Sequence, residues 1–314
     1  MNKLLLAALV SGALSVSAYA ADYNIMAPAA PGGGWDQTAR TMQEVLIAEG
    51  ISGNVQVTNV PGAGGTIGLA QFANQDAGNP NALIVGGYVM VGAILTNASP
   101  VTLANVTPIA RLTGEAVGIV VPAASDIQTM DDLVARLKEN AGAVAWAGGS
   151  AGGADHITAG LIAKAVGVDP TQVNYIAYSG GGEALAAILG GQVTVGISGI
   201  SEFSAQIEAG ELRLLAVSTD TRVPGFDAPT LKEAGVDTAV QNWRMVAAAP
   251  GITEEQKAAI TADIKTMAES EGWKAALESR GWVDTYLDGE AFYMQLASDI
   301  EATEAILRDI GLVQ

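Results

Sequence analysis

Residues 23–48 read YNIMAPAAPGGGWDQTARTMQEVLIA. The run 23–27 is short, apolar and strand-like, and residues 35–48 carry Ala39, Met42, Val45 and Leu46 at helical spacing. Between them stands Pro31-Gly32-Gly33-Gly34. A strand, a glycine turn and a helix in that order aim free backbone N–H groups at whatever lies above the turn, and the helix dipole favours negative charge there. The unit recurs at Pro61-Gly62-Ala63-Gly64-Gly65, at Gly148-Gly149-Ser150-Ala151-Gly152-Gly153 and at Ser179-Gly180-Gly181-Gly182. Four such loops in one chain predict a site for an anion with more than one charged group.

Outward from these loops, strand-like and helix-like runs alternate. Strands are expected at 55–59, 82–86, 117–121, 143–147, 173–177, 193–197, 212–217 and 243–249. Helices are expected at 66–72, 154–166, 183–189 and 202–208, with capped helices after Thr129/Asp132 and Thr253/Gln256 and a last helix at 290–310. This rhythm predicts an α/β fold of parallel sheets with helices on both faces. The strand before Pro122 and the strand before Pro250 are the candidate hinges. Two crossings give an outer domain of 21–121 plus 243–314 and a middle domain of 122–242. Each domain then presents its glycine loops at the carboxyl ends of its strands, where open α/β sheets bind ligands. Facing loops form a cleft that closes like a clam.

The chain has 314 residues, 49% hydrophobic and 15% charged, enough for two cored domains. Residues 1–20 read as a cleaved secretory signal: Lys3, an apolar stretch at 4–16, and Ala18-Tyr19-Ala20 before the cut. The expected location is the periplasm. There is no cysteine, which excludes disulfides and thiol-linked lipid. The net charge of −18 disfavours nucleic acid and anionic membrane as partners. It also repels a free anion at long range, so an anionic ligand needs local donors, and amide-lined loops supply them.

Other chemistries fit less well. Gly148-Gly149-Ser150-Ala151-Gly152 matches the G-x-S-x-G elbow of hydrolases, and the sole histidine, His156, lies six residues after the serine. In the hydrolase order the histidine comes late, after an acid on another loop. The competing reading is a turn of small residues with His156 as a neutral hydrogen-bonding group in the first helical turn. One histidine leaves only carboxylates as metal ligands, so no metal is expected. Ile67 stands where a dinucleotide fingerprint needs glycine, and no loop carries a Walker lysine, so no cofactor is expected either. Asp36 reads equally as a helix-start acid or as an acceptor for a ligand hydroxyl or water. Trp35 reads as core or as pocket wall. Tyr88, just beyond the 82–86 strand, is placed to reach the cleft. Arg40 and Arg244 are the nearest cations, each read first as a packing or surface arginine.

Together the motifs Ala27-Pro28-Ala29-Ala30-Pro31-Gly32-Gly33-Gly34-Trp35-Asp36, Asn59-Val60-Pro61-Gly62-Ala63-Gly64-Gly65, the 149–156 loop, Tyr178-Ser179-Gly180-Gly181-Gly182-Glu183 and Leu189-Gly190-Gly191-Gln192-Val193 form an ordered set. So ordered, the chain resembles the periplasmic substrate-binding proteins of tripartite tricarboxylate transporters over nearly its whole mature length. The resemblance implies a two-domain Venus-flytrap fold of type II-like form and no enzymatic activity. It implies a monomer that carries a small carboxylate to a two-subunit membrane permease. One carboxylate is then held by Pro31, Gly32, Gly33, Gly34, Trp35 and Asp36, partly through water. Another is held by Ser150, Ala151, Gly152, Gly153 and His156 together with Ser179, Gly180 and Gly181. Gly64, Gly65 and Tyr88 complete the expected set. Gly153 departs from the hydroxyl residue that many relatives carry there, and the fourth loop lacks their lysine and proline. The GGGE and PGGGWD forms resemble the citrate branch, which favours a citrate-like ligand, with C4-dicarboxylates and aromatic carboxylates as alternatives.

Overall fold

The computed structural model describes residues 21–179 and 181–314. The signal read at 1–20 and Gly180 lie outside the described residues.

β1 (Ala21–Ala27) leads through the first glycine loop into α1 (Gly34–Ala48). Gly33 is the N-cap in extended backbone, Asp36 sits in the first turn, and Ala39, Met42, Val45 and Leu46 are buried against the sheet. β2 (Ser52–Asn59) and α2 (Thr66–Gln75) follow, then the wholly buried β3 (Ala82–Gly87) and α3 (Tyr88–Thr96). The periodicity did not indicate α3, because its sequence YVMVGAILT is apolar on nearly every face. Gly87, at φ +149°, makes the sharp entry. A side chain there would overlap the Trp243 carbonyl of the neighbouring strand.

The chain then runs through β4 (Thr107–Pro122), α4 (Met130–Asn140), β5 (Ala145–Gly148), α5 (Ala154–Ala165), β6 (Asn174–Ala177) and α6 (Gly181–Leu189). β7 (Val195–Gly199), α7 (Ser204–Glu208) and β8 (Leu212–Val217) complete the middle stretch. β9 (Gln241–Ala248), α8 (Glu254–Glu269), α9 (Glu271–Arg280), β10 (Trp282–Asp288) and α10 (Gly289–Asp309) finish the chain. Both expected capping boxes form, Thr129 with Asp132 and Thr253 with Gln256. α9 and β10 are additions to the expected elements.

The strands form one sheet in the order β2-β1-β3-β9-β4-β7-β5-β6, with β8 and β10 also paired to β4. Pairing is parallel within β1–β3 and within β5–β7, as expected, but antiparallel at every contact of β4 and β9. The sheet is therefore mixed rather than parallel, because β4 and β9 are linking strands that run against the βα units.

β4 divides the sheet. Its residues Thr107–Ala116 pair with β9, and Val117–Pro122 pair with β7 and β8. One half thus holds β1–β3, β9, β10 and the start of β4, and the other holds β5–β8 and its end. The chain changes halves at Ala116/Val117. The C-terminal end of α10 also reaches the second half: Asp309 pairs with Lys164 of α5, and Ile310 packs over Gly160. Among the described residues no helix is long and apolar enough to cross a membrane.

Candidate functional site

A narrow crevice of about 60 Å³, partly open to solvent, lies where the two halves face each other. From the first half it is lined by Pro28, Ala29, Gly33, Gly34, Trp35, Gly62, Gly65 and Val89, with Asn242 and Arg244 from β9. From the second half come Gly149, Ser150, Gly153, Ala154, Asp155, Ser179, Gly181, Ser198 and Glu202. All four glycine loops thus meet in one place, although they are far apart in sequence.

Among the described residues no side chain caps α1 or α5. Their first intrahelical bonds are Gln37 N–H to the Gly33 carbonyl and Ile157 N–H to the Gly153 carbonyl. The N–H groups of Gly34, Trp35, Ala154 and Asp155 therefore have no acceptor among the described residues, and all four residues line the crevice. Two helix N-termini converging on one space favour an anion there. Other loop amides are already used. Gly149 N–H donates to Asp155 Oδ2 (2.7 Å), Gly181 N–H to Glu202 Oε2 (2.8 Å) and Ser179 N–H to Glu183 Oε2 (3.0 Å).

The floor of the crevice is built from strands. Arg244, 1% exposed, pairs with the Glu115 carboxylate, donates to Thr38 Oγ1 (3.3 Å) and lies 4.9 Å from the Trp282 ring centroid. A Cβ on Gly34 would sit 2.5 Å from its Nη2, so any side chain at that position would force the buried guanidinium to shift. Glu115 stands opposite Asn242 in the β4–β9 register and also accepts from Ser201 N–H. Ser198 donates to Glu202 Oε1 (3.1 Å).

Burial, then the Glu115 charge, pushes the Asp155 carboxyl up to about 7, against the Gly149 N–H, Ser198 and Arg244. Burial and the charges of Glu115 and Asp155 push Glu202 up to about 8. The folded protein thus holds protons that the unfolded chain would release in the ordinary carboxyl range. These two acids favour folding at the acid end of that window, and the contribution is lost as pH rises through 7 to 8.

Eight expected residues line the crevice: Gly33, Gly34, Trp35, Gly65, Ser150, Gly153, Ser179 and Gly181. Gly64 and Ala151 line a neighbouring opening beside Tyr178. Asp36 accepts from Gly32 N–H (2.8 Å), Arg40 Nε (2.9 Å) and Asn59 Nδ2 (2.9 Å), which anchors the first loop. Burial raises its pKa, but those three donors outweigh it and hold the carboxyl below its usual range. Pro31 and Gly32 belong to the same loop, outside the lining. Tyr88 faces Trp243 and α10, with burial pushing its phenol up to about 12.

His156 Nδ1 accepts from Gly152 N–H (3.2 Å), and its ring stacks on Tyr175 at 4.1 Å. Burial holds its pKa down to about 4, so it is neutral at pH 7. It fixes the loop bearing Ser150. Among the described residues it makes no hydrogen bond to that serine.

The strand-borne polar residues escaped the sequence reading, except Arg244, which was read as a packing arginine. Glu115, Asn242 and Arg244 do leave a signal: charge and amide inside otherwise apolar strand runs.

This is the fold and crevice of a periplasmic solute-binding protein. The family profile described as "Tripartite tricarboxylate transporter family receptor" matches residues 38–312, and the chain belongs to that family. The UPF0065 protein in the TAR-I ttuE-ttuC' intergenic region of Agrobacterium vitis is 28% identical over 222 residues, 70% of this chain and 63% of that protein. Protein BugT of Bordetella pertussis is 26% identical over 292 residues, 91% of this chain and 88% of that one. The fold matches the periplasmic binding protein BugD with TM-score 0.84 at 22% identity, covering 93% and 98% of the two chains. It matches MatC of Rhodopseudomonas palustris, solved with bound malate, with TM-score 0.80 at 22% identity over 91% and 98%. A further R. palustris protein, Rpa4515 with adipate, gives 0.82 at 21% identity over 92% and 97%.

Proposed function

We propose that the protein captures a tricarboxylate or related small carboxylate in the periplasm and delivers it to a two-subunit membrane permease. The chain works as a monomer, exported by the signal at 1–20. Two domains, read from the sequence as 21–121 with 243–314 and 122–242 and parted by strand pairing a few residues earlier, at Ala116/Val117, close on the ligand. The observation that carries this reading is the pair of uncapped helix N-termini, α1 and α5, facing each other across one crevice above Arg244. Such amides bind carboxylates without net positive charge, as a chain of charge −18 requires. Charge-assisted hydrogen bonds contribute about 1.5–3 kcal/mol each, so a few reach micromolar affinity, about −8 kcal/mol, after association costs.

A citrate-like ligand is favoured by the GGGE and PGGGWD loops. Dicarboxylates are the second reading, supported by the malate and adipate bound to two neighbours of the same fold. A thermal-shift panel of citrate, isocitrate, tricarballylate, malate, succinate, adipate and terephthalate tests both. At a hundredfold excess over Kd the true ligand stabilises the fold by about 2.7 kcal/mol, a rise of roughly 5 °C. A flat response across the panel contradicts the carboxylate reading.

A further inference from the structure

The crevice floor holds more acid than base. Glu115 and Asp155 are buried, Glu202 lines the crevice wall, and Arg244 is the one cation among them in the described residues. Arg244 is committed to Glu115 and Thr38. Among the described residues Asp155 and Glu202 therefore have backbone amides and the Ser198 hydroxyl as partners, and no cation of their own. A second observation points the same way. Asn242 is 7% exposed and lines the crevice, and among the described residues its Oδ1 has no partner. An unmet acceptor beside two carboxylates is a floor that asks for hydrogen, not for more negative charge. An ionised carboxylate entering from the amide side would meet repulsion there unless protons come with it.

We propose that Glu202 and Asp155 form an acid subsite that holds a proton against the bound carboxylate, so that the protein takes up its ligand together with a proton from solvent. Asn242 Oδ1 then accepts from the ligand's own hydroxyl or protonated carboxyl. This inference rests on the carboxylate reading above. It makes Glu202, Asp155 and Asn242 specificity determinants that select a hydroxylated or partly protonated polycarboxylate.

The other titratable groups around the subsite do not supply the effect. On α5, His156 is neutral, with burial holding it near 4. On β6, Tyr175 is pushed above its usual range by burial and by Asp155, so it keeps its proton. On α6, Glu183 is engaged with Ser179 N–H. On β4 and β9, Glu115 and Arg244 neutralise each other. Asp155 and Glu202, pushed up to about 7 and about 8, remain to titrate near neutrality.

The test is calorimetric titration with citrate and with malate at pH 7, 8 and 9, each in two buffers of different ionisation heat. Free carboxyls are already ionised in this range. The expected result is net uptake of about one proton per ligand near pH 8 and affinity weakening roughly tenfold by pH 9. Glu202→Gln should flatten this slope and bind about tenfold tighter than the native protein at pH 9, because an amide cannot ionise. Asp155→Asn should reduce the slope as well. Binding with constant affinity and no proton exchange in the native protein overturns the acid subsite and leaves the carboxylate reading standing. So does a Glu202→Gln protein that keeps the native slope. Absence of binding by every carboxylate overturns both.

Discussion

Arg244→Met is expected to lower stability by about 3–5 kcal/mol, because it strands the Glu115 carboxylate in the protein interior. Glu115 is 0% exposed and Arg244 1%. Among the described residues no other cation pairs with Glu115. Ser201 N–H is its remaining donor. The guanidinium also fills the space beneath Gly34, donates to Thr38 and packs on Trp282, so removal disturbs α1 and β10 together. Thermal denaturation should show the midpoint falling by about 10 °C. The double variant Glu115→Gln with Arg244→Met should recover at least half of that loss, since no charge is left unpaired. A single variant that melts with the native protein would show that the pair is not the keystone of the floor.

Gly92→Val is the second large effect, and it acts on the ligand without touching it. α3 presses against the 149–153 loop of the opposite half. A side chain at Gly92 would overlap the Gly152 carbonyl, and one at Gly153 would come within 2.8 Å of Val89 Cγ1. In a cleft that opens, Gly92 faces water when the halves part, so valine is tolerated in the open form and wedges the closed one. Affinity for the carboxylate should fall by about a hundredfold, while the ligand-free midpoint stays within about 2 °C of native. If the halves are one rigid body, valine instead overpacks a fixed contact. Stability then falls by about 1–3 kcal/mol. Calorimetry and melting on one protein sample separate the two outcomes.

The glycine loops were legible because each combines local signals: a short apolar run, turn residues, then helical periodicity. The sequence therefore located both sides of the crevice, Gly33 and Gly34 opposite Ser150 and Gly153. The floor was not legible, because it exists only through pairing. Glu115 and Arg244 are 129 positions apart and meet where β4 lies beside β9. Asp36 and His156 stood out in the sequence, one as an acid in a first helical turn and the other as the sole histidine. Local sequence could not reveal that Asp36 turns back onto Gly32, or that His156 turns onto Gly152. Both hold the loops whose amides remain free. Tyr88 was misjudged for a different reason: β3 continues directly into a helix that its uniform apolar character concealed, and the helix swings the phenol toward α10.

The most direct test is a crystal structure with a carboxylate that raises the melting point. One carboxylate group should lie within hydrogen-bond distance of Gly34 or Trp35 N–H, and another should accept from Ala154 or Asp155 N–H across the crevice. A ligand bound elsewhere, or held by side-chain cations with those four amides left to water, would contradict the account.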